Sequence, residues 1–106
     1  MTNNKVLGML GISAKAGKIV SGTDYCIQEL KKGKIQLILV AEDASEKTKK
    51  NFVFYTQEVK IPIVFFGTID DNSKAIGKQN RAVIGIAEKN LANQIEKIIN
   101  GGEIIG

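Results

Sequence analysis

The stretch Ile35-Gln36-Leu37-Ile38-Leu39-Val40-Ala41 constrains the fold more than any other part of the sequence. It is nearly continuous in apolar, β-branched residues, the pattern of a strand covered on both faces rather than one with a wet side. Such a strand belongs in the middle of a sheet, with helices packed above and below it.

The flanking sequence supplies those helices. Val6, Met9, Leu10 and Ser13 follow helical spacing and Gly17 follows Lys15, which predicts an opening helix over about residues 3 to 15. A short extended piece, Lys18 to Val20, comes next. Ser21 and Gly22 suit an N-cap region, and Thr23, Cys26, Ile27 and Leu30 form an apolar stripe ahead of Gly33, giving a second helix over about 22 to 32. After Glu42-Asp43, Ser45 can cap a third helix with the apolar face Thr48, Phe52, Tyr55 and Val59, ending before Pro62. Ile63 to Phe66 and Ala82 to Ala87 read as further strands, so Phe52, Phe65 and Phe66 are expected in the core. A short helix with capping residues between Asp70 and Ser73 runs through Ile76 to Gly77, and Leu91, Ile95, Ile98 and Ile99 stripe a final helix. Alternation of strands and helices predicts an α/β fold: a three-layer α/β/α sandwich on a mixed, mainly parallel-paired four-stranded sheet.

At 106 residues with 43% hydrophobic content, the chain can fill one core, so residues 1–106 are expected to form one domain without a linker. No apolar segment approaches the roughly 18 residues that span a bilayer, and Met1-Thr2-Asn3-Asn4 is not a charged lead-in to a cleavable apolar stretch. The expectation is a soluble, cytoplasmic protein with no membrane partner. With one cysteine, Cys26, and no histidine, there is no internal disulfide, imidazole base or Cys/His metal site. No catalytic residues, metal or cofactor are expected. The net charge of +4 favours polyanionic partners such as nucleic acid.

Gly11 to Lys18, GISAKAGK, invites comparison with a phosphate-cradling P-loop but departs from it in three ways. The glycine spacing is one residue too long, Ile19 replaces the metal-binding Ser/Thr, and a helix rather than a strand precedes it. More promising is the approach to the second helix, where Lys15, Lys18, Ser21 and Gly22 lead into a set of unpaired amides, a natural anion site. On that helix Asp24, Gln28, Lys31 and Lys32 lie opposite the apolar stripe, and Tyr25 sits beside them, able to stack on a base. Cys26 belongs to the stripe and reads as inert core. Gly77-Lys78-Gln79-Asn80-Arg81 is a second basic loop rich in donors for phosphates, sugars or bases, and Lys47, Lys49 and Lys50 add charge at the start of the third helix. Taken one at a time, each of these is also what an ordinary solvated surface looks like.

Taken together, Lys18-Ile19-Val20-Ser21-Gly22, the helix end Leu30-Lys31-Lys32-Gly33-Lys34, Leu37 through Asp43, Val59-Lys60-Ile61-Pro62-Ile63 and Ala75-Ile76-Gly77-Lys78 resemble the kink-turn-binding ribosomal protein superfamily. Leu10 through Lys18 is similar to the opening of its bacterial YlxQ-like members. The resemblance covers almost the whole chain. It implies the same sandwich, and binding to sharply bent RNA in which the second helix enters beside tandem sheared G·A pairs. The family's Gly-x-Asn-Glu-x-x-Lys element falls on Gly22, Thr23, Asp24, Tyr25 and Gln28, so that Asp24 stands for an asparagine, Tyr25 for an acid and Gln28 for a lysine. A second recognition loop matches Gly77 to Ala82 and keeps Lys78 and Arg81, while the usual Leu-Gly before the helix is Asn72-Ser73.

The implied function is non-enzymatic recognition of structured RNA, a kink-turn or an rRNA-like element, in a ribosome- or translation-related role. Phosphates would be held by Lys15, Lys18, Ser21, Gly22, Lys34, Gly77, Lys78, Gln79, Asn80 and Arg81, and bases touched by Thr23, Asp24, Tyr25 and Gln28. DNA is not expected as a partner, whereas ribosomal or translation-factor proteins are candidate partners. The rival reading is a protein–protein interaction module on the same fold that has lost specific kink-turn recognition.

Overall fold

The computed structural model describes residues 2–101, so Met1 and residues 102–106 of the expected domain lie outside it. The elements in chain order are α1 Thr2–Lys15, β1 Ile19–Ser21, α2 Thr23–Lys31, β2 Leu37–Val40, α3 Glu46–Val59, β3 Ile63–Phe65, α4 Ile69–Ala75, β4 Val83–Ile86 and α5 Lys89–Ile99. The four strands form one mixed sheet in the order β1-β4-β2-β3. As their unbroken apolar sequences require, β2 and β4 occupy the two central positions and are buried at every residue.

Alternation along β2 builds two cores. Leu37 and Leu39 point to one face, joining Val6 and Leu10 of α1, Ile76 after α4, Ile84 and Ile86 of β4 and Ile95 of α5. Ile38 and Val40 point to the other, against Cys26 and Leu30 of α2, Phe52 of α3 and Val83 of β4. Helices therefore cover both faces, α1, α4 and α5 on one side and α2 and α3 on the other, in the three-layer sandwich that the sequence implies.

The strand directions are a correction. Only β2 and β3 pair in parallel, whereas β4 is antiparallel to both β1 and β2, so the sheet is mixed but not mainly parallel-paired. The register gives the reason. Val40 at the end of β2 partners Phe65, the last residue of β3, and also Val83, the first of β4. The segment containing α4 thus crosses one end of the sheet without travelling its length. With a helix of only 7 residues, about 10 Å long, the chain re-enters where it left and must run back.

Two side-chain expectations also change. In α3 the buried pair is Phe52 and Thr56, while Val59 is exposed. The Thr56 hydroxyl is accommodated by donating to the Phe52 carbonyl at 2.7 Å. Phe65, expected in the core, is 38% exposed because it ends the edge strand β3. Helix α4 starts earlier than its capping residues suggest. Thr68 caps it by accepting from the Asp71 amide, and Asn72 turns inward to donate from Nδ2 to the Phe66 carbonyl at 2.8 Å.

Candidate nucleic-acid interface

The junction of β1 and α2 is set by Gly22. Its φ of 98° and ψ of 148° lie in a region essentially restricted to glycine, and its N–H donates to the Val83 carbonyl at 3.0 Å. That bond fixes the start of α2 against the first residue of β4. Amides in the first turn of a helix have no intrahelical acceptor. At α3, α4 and α5 a side chain accepts from one of them: Ser45 from Thr48, Thr68 from Asp71 and Glu88 from Leu91. At α2 no side chain caps, so the Thr23, Asp24 and Tyr25 amides face outward at the positive end of the helix dipole. Thr23, Asp24, Tyr25 and Gln28 are all exposed, Tyr25 by 54%. The Asp24 carboxylate sits in the same turn, where it suits the dipole and can accept from base amino or imino groups.

Beside this helix end lies the loop that joins α4 to β4. Gly77 closes α4, with its own N–H bonded to the Lys74 carbonyl and the Lys78 N–H to the Ser73 carbonyl at 2.8 Å. Ser73 is buried, and its hydroxyl oxygen accepts from the Arg81 N–H at 2.8 Å, which ties the far end of the loop to α4. The Arg81 guanidinium spans the gap between the two segments. Its Nε donates to Ser21 Oγ at 3.1 Å and one Nη to the Gln79 carbonyl at 2.8 Å. Two of its five N–H donors are thereby used among the described residues, leaving three for a ligand. Lys78, Gln79 and Asn80 are exposed, and with Arg81, Asp43 and Asp70 they line an open groove of about 1160 Å³. Asp43 Oδ1 accepts from the Ile69 N–H at 2.8 Å, which fixes the start of α4 in the same groove.

The fold therefore brings together Ser21, Gly22, Thr23, Asp24 and Tyr25 with Gly77 through Arg81, positions about sixty residues apart in the chain. Gln28 lies one helical turn beyond. Lys15, Lys18 and Lys34 are not part of this group. The Lys18 carbonyl accepts from Ala87, just past the end of β4, and Lys34 precedes the start of β2, so both belong to the opposite end of the sheet. Four residues of extended chain, about 13 Å, separate Lys18 from Gly22. The basic approach to α2 thus runs along the strand and does not converge on the helix end.

Sequence reasoning missed Ser73, which positions the loop, and Asp43, which holds the start of α4. Asp43 has the composition of any turn residue, and Ser73 reads equally well as a helix cap. Neither long-range partner has a local signal.

Cys26 packs beneath α2, its Sγ 3.5 Å from the Val20 carbonyl. Burial pushes the thiol up from 9.0 to about 12, a shift that a backbone hydrogen bond at Gly85 partly opposes. Among the described residues no group of three Cys, Asp or Glu could hold a metal ion, and no helix is long and apolar enough to cross a membrane.

Comparison with known proteins places this geometry. The model of the ribosomal protein L7Ae/L30e/S12e/Gadd45 family, which is not a family of enzymes, matches residues 4–97. The RNA-binding protein YlxQ of Bacillus subtilis is 29% identical over 92 residues, spanning 87% of this chain and 92% of that protein. A solved structure of a Bacillus halodurans protein of unknown function superposes with a TM-score of 0.88 at 27% identity, covering 91% of this chain and 97% of the other. The Giardia lamblia 15.5kD RNA binding protein shares the fold, with a TM-score of 0.79 at 19% identity over 99% of this chain and 90% of that one. By sequence and fold alike, the chain belongs to the ribosomal protein L7Ae/L30e/S12e/Gadd45 family and within it is similar to the YlxQ proteins.

Proposed function

We propose that residues 1–106 act as one cytoplasmic RNA-binding unit whose target is a kink-turn or similarly bent RNA in a ribosome- or translation-related setting. The observation that carries the reading is the Arg81 to Ser21 hydrogen bond, which locks a cationic loop beside an uncapped helix end. Together they offer outward amides, guanidinium donors and exposed Lys78 to a strand of phosphates. The exposed row Thr23, Asp24, Tyr25 and Gln28 offers acceptors, donors and an aromatic face to bases. Lys15 and Lys18 would add long-range attraction to a duplex that extends past the bend. No bond is made or broken.

Relatives named as RNA-binding proteins support this reading, and so does membership of a family of ribosomal proteins. The test is titration against a kink-turn RNA, and against the same RNA with its G·A pairs replaced, at two salt concentrations. Tight binding abolished by the replacement is the expected result. Equal, strongly salt-dependent binding to both RNAs would remove the kink-turn from the proposal, and no binding to either would overturn it.

A further inference from the structure

A second surface lies on the same helical layer, towards the C-terminal halves of α2 and α3. Ile27, Leu30, Phe54, Tyr55 and Val59 line an apolar groove of about 380 Å³. Phe54 stands 57% exposed beside it, packed edge-on against Tyr55 at a centroid distance of 5.8 Å. Exposed aromatic area next to a preformed groove is the make-up of a protein docking site.

Charge at the groove's end selects the partner. Helices α2 and α3 lead into strands paired in parallel, so they run in the same direction and their C-termini lie at one end of the sheet. Lys31, Lys34 and Lys60 cluster there, exposed, and none has an ion pair among the described residues. Cations suit helix C-termini electrostatically; within the groove Lys31 is matched by the one lining carboxylate, Glu58, and the unpaired Lys34 and Lys60 beyond it leave this end of the helical layer positive. We infer that this groove docks an acidic, amphipathic helical segment of a partner protein. An apolar side chain of that segment fills the groove beside Phe54, and its carboxylates meet Lys31, Lys34 and Lys60. A second copy of this chain fits poorly, because it would bring the same lysines against their equals. RNA phosphates would meet the rim lysines but leave the apolar lining beside Phe54 unfilled. The groove also lies away from Gly22, which leaves the RNA-facing end of α2 open, and the inference does not depend on the RNA reading.

The probe is a fluorescein-labelled helical peptide with leucines at i, i+4 and i+7 and glutamates elsewhere, compared with a twin in which lysine replaces each glutamate. Fluorescence anisotropy should show the acidic peptide binding about tenfold or more tightly than its twin. Phe54→Ala should weaken it about tenfold while the thermal midpoint stays near wild type, since most of that ring is already exposed. A Lys31→Glu, Lys60→Glu double variant should reverse the preference between the two peptides, and a kink-turn RNA should not displace the bound peptide. Equal affinity for both peptides, or no binding, overturns the inference. So does indifference to Phe54→Ala, displacement by the RNA, or a dimer in sedimentation equilibrium that Phe54→Ala dissolves.

Discussion

Ser73→Ala separates the loop's anchoring from its chemistry. The hydroxyl is buried, with 1% of the residue exposed, and touches no expected ligand, but it accepts from the Arg81 N–H at 2.8 Å and its Oγ lies 3.4 Å from the Arg81 carbonyl. Removing it deletes one oxygen without opening a cavity of consequence and leaves a half-buried N–H without an acceptor. Such a group costs about 1–3 kcal/mol, and partial access to water puts this one near 1–2 kcal/mol. For a domain of this size that is a drop in thermal midpoint of roughly 4–8 °C. The same loss frees residues 78–81 and, through Arg81, the contact with Ser21, so RNA affinity should fall about tenfold with no charge removed. Urea unfolding and RNA titration on the same preparation read both effects. An unchanged midpoint would refute the anchoring argument. A lowered midpoint with unaltered RNA affinity would refute the role of loop geometry in binding.

Other expected outcomes rest on separate observations. Gly67→Ala meets a φ of 67° and would set a Cβ 2.5 Å from Asn72 Oδ1, so urea unfolding should show a loss of about 2 kcal/mol or more. Lys78→Ala should weaken binding to every RNA and flatten the slope of log affinity against log salt by about 0.9, whereas Gln28→Ala should mainly reduce discrimination between RNAs; identical effects would contradict that division. For Cys26, the thiol held near 12 in the fold ionises near 9.0 when unfolded. Its contribution to stability is therefore complete below pH 9 and declines as pH rises from 9 towards 12, by at most about 1.4 kcal/mol per pH unit. Wild type and Cys26→Ala compared across that range should differ in slope, and parallel curves would show that the thiol is not buried in this way.

What was legible in the sequence was the material of each layer. The unbroken apolar runs around Leu37–Val40 and Val83–Ile86 place β2 and β4 at the centre, and the α2 stripe through Cys26 and Leu30 marks its inward face. Strand direction was not legible, because helix–strand alternation is the same whether an intervening helix travels the length of the sheet or, as α4 does, crosses one end. Phe65 shows a similar limit: a short apolar run does not say whether its strand is central or at the edge. At the candidate site, Gly22 with its exposed neighbours and the basic loop at Lys78 and Arg81 were visible as local chemistry. That Arg81 reaches Ser21, that Ser73 holds the loop and that Asp43 holds the start of α4 depend on contacts across the chain. Lys15 and Lys18 were grouped with the helix end by proximity in sequence and Lys34 by the family resemblance, and the extended geometry of β1 and the length of α2 separate them from it.

The central claim is that one RNA-facing surface is formed by the open end of α2 and the loop before β4. Amide chemical-shift mapping on addition of a kink-turn RNA tests it most directly. The account predicts that the largest changes fall on Gly22 through Tyr25 and on Lys78 through Arg81, appear together at one RNA equivalent, and leave Phe54, Tyr55 and Glu58 unmoved. Changes centred on α3 or α5, or a response of the loop without the helix end, would contradict it.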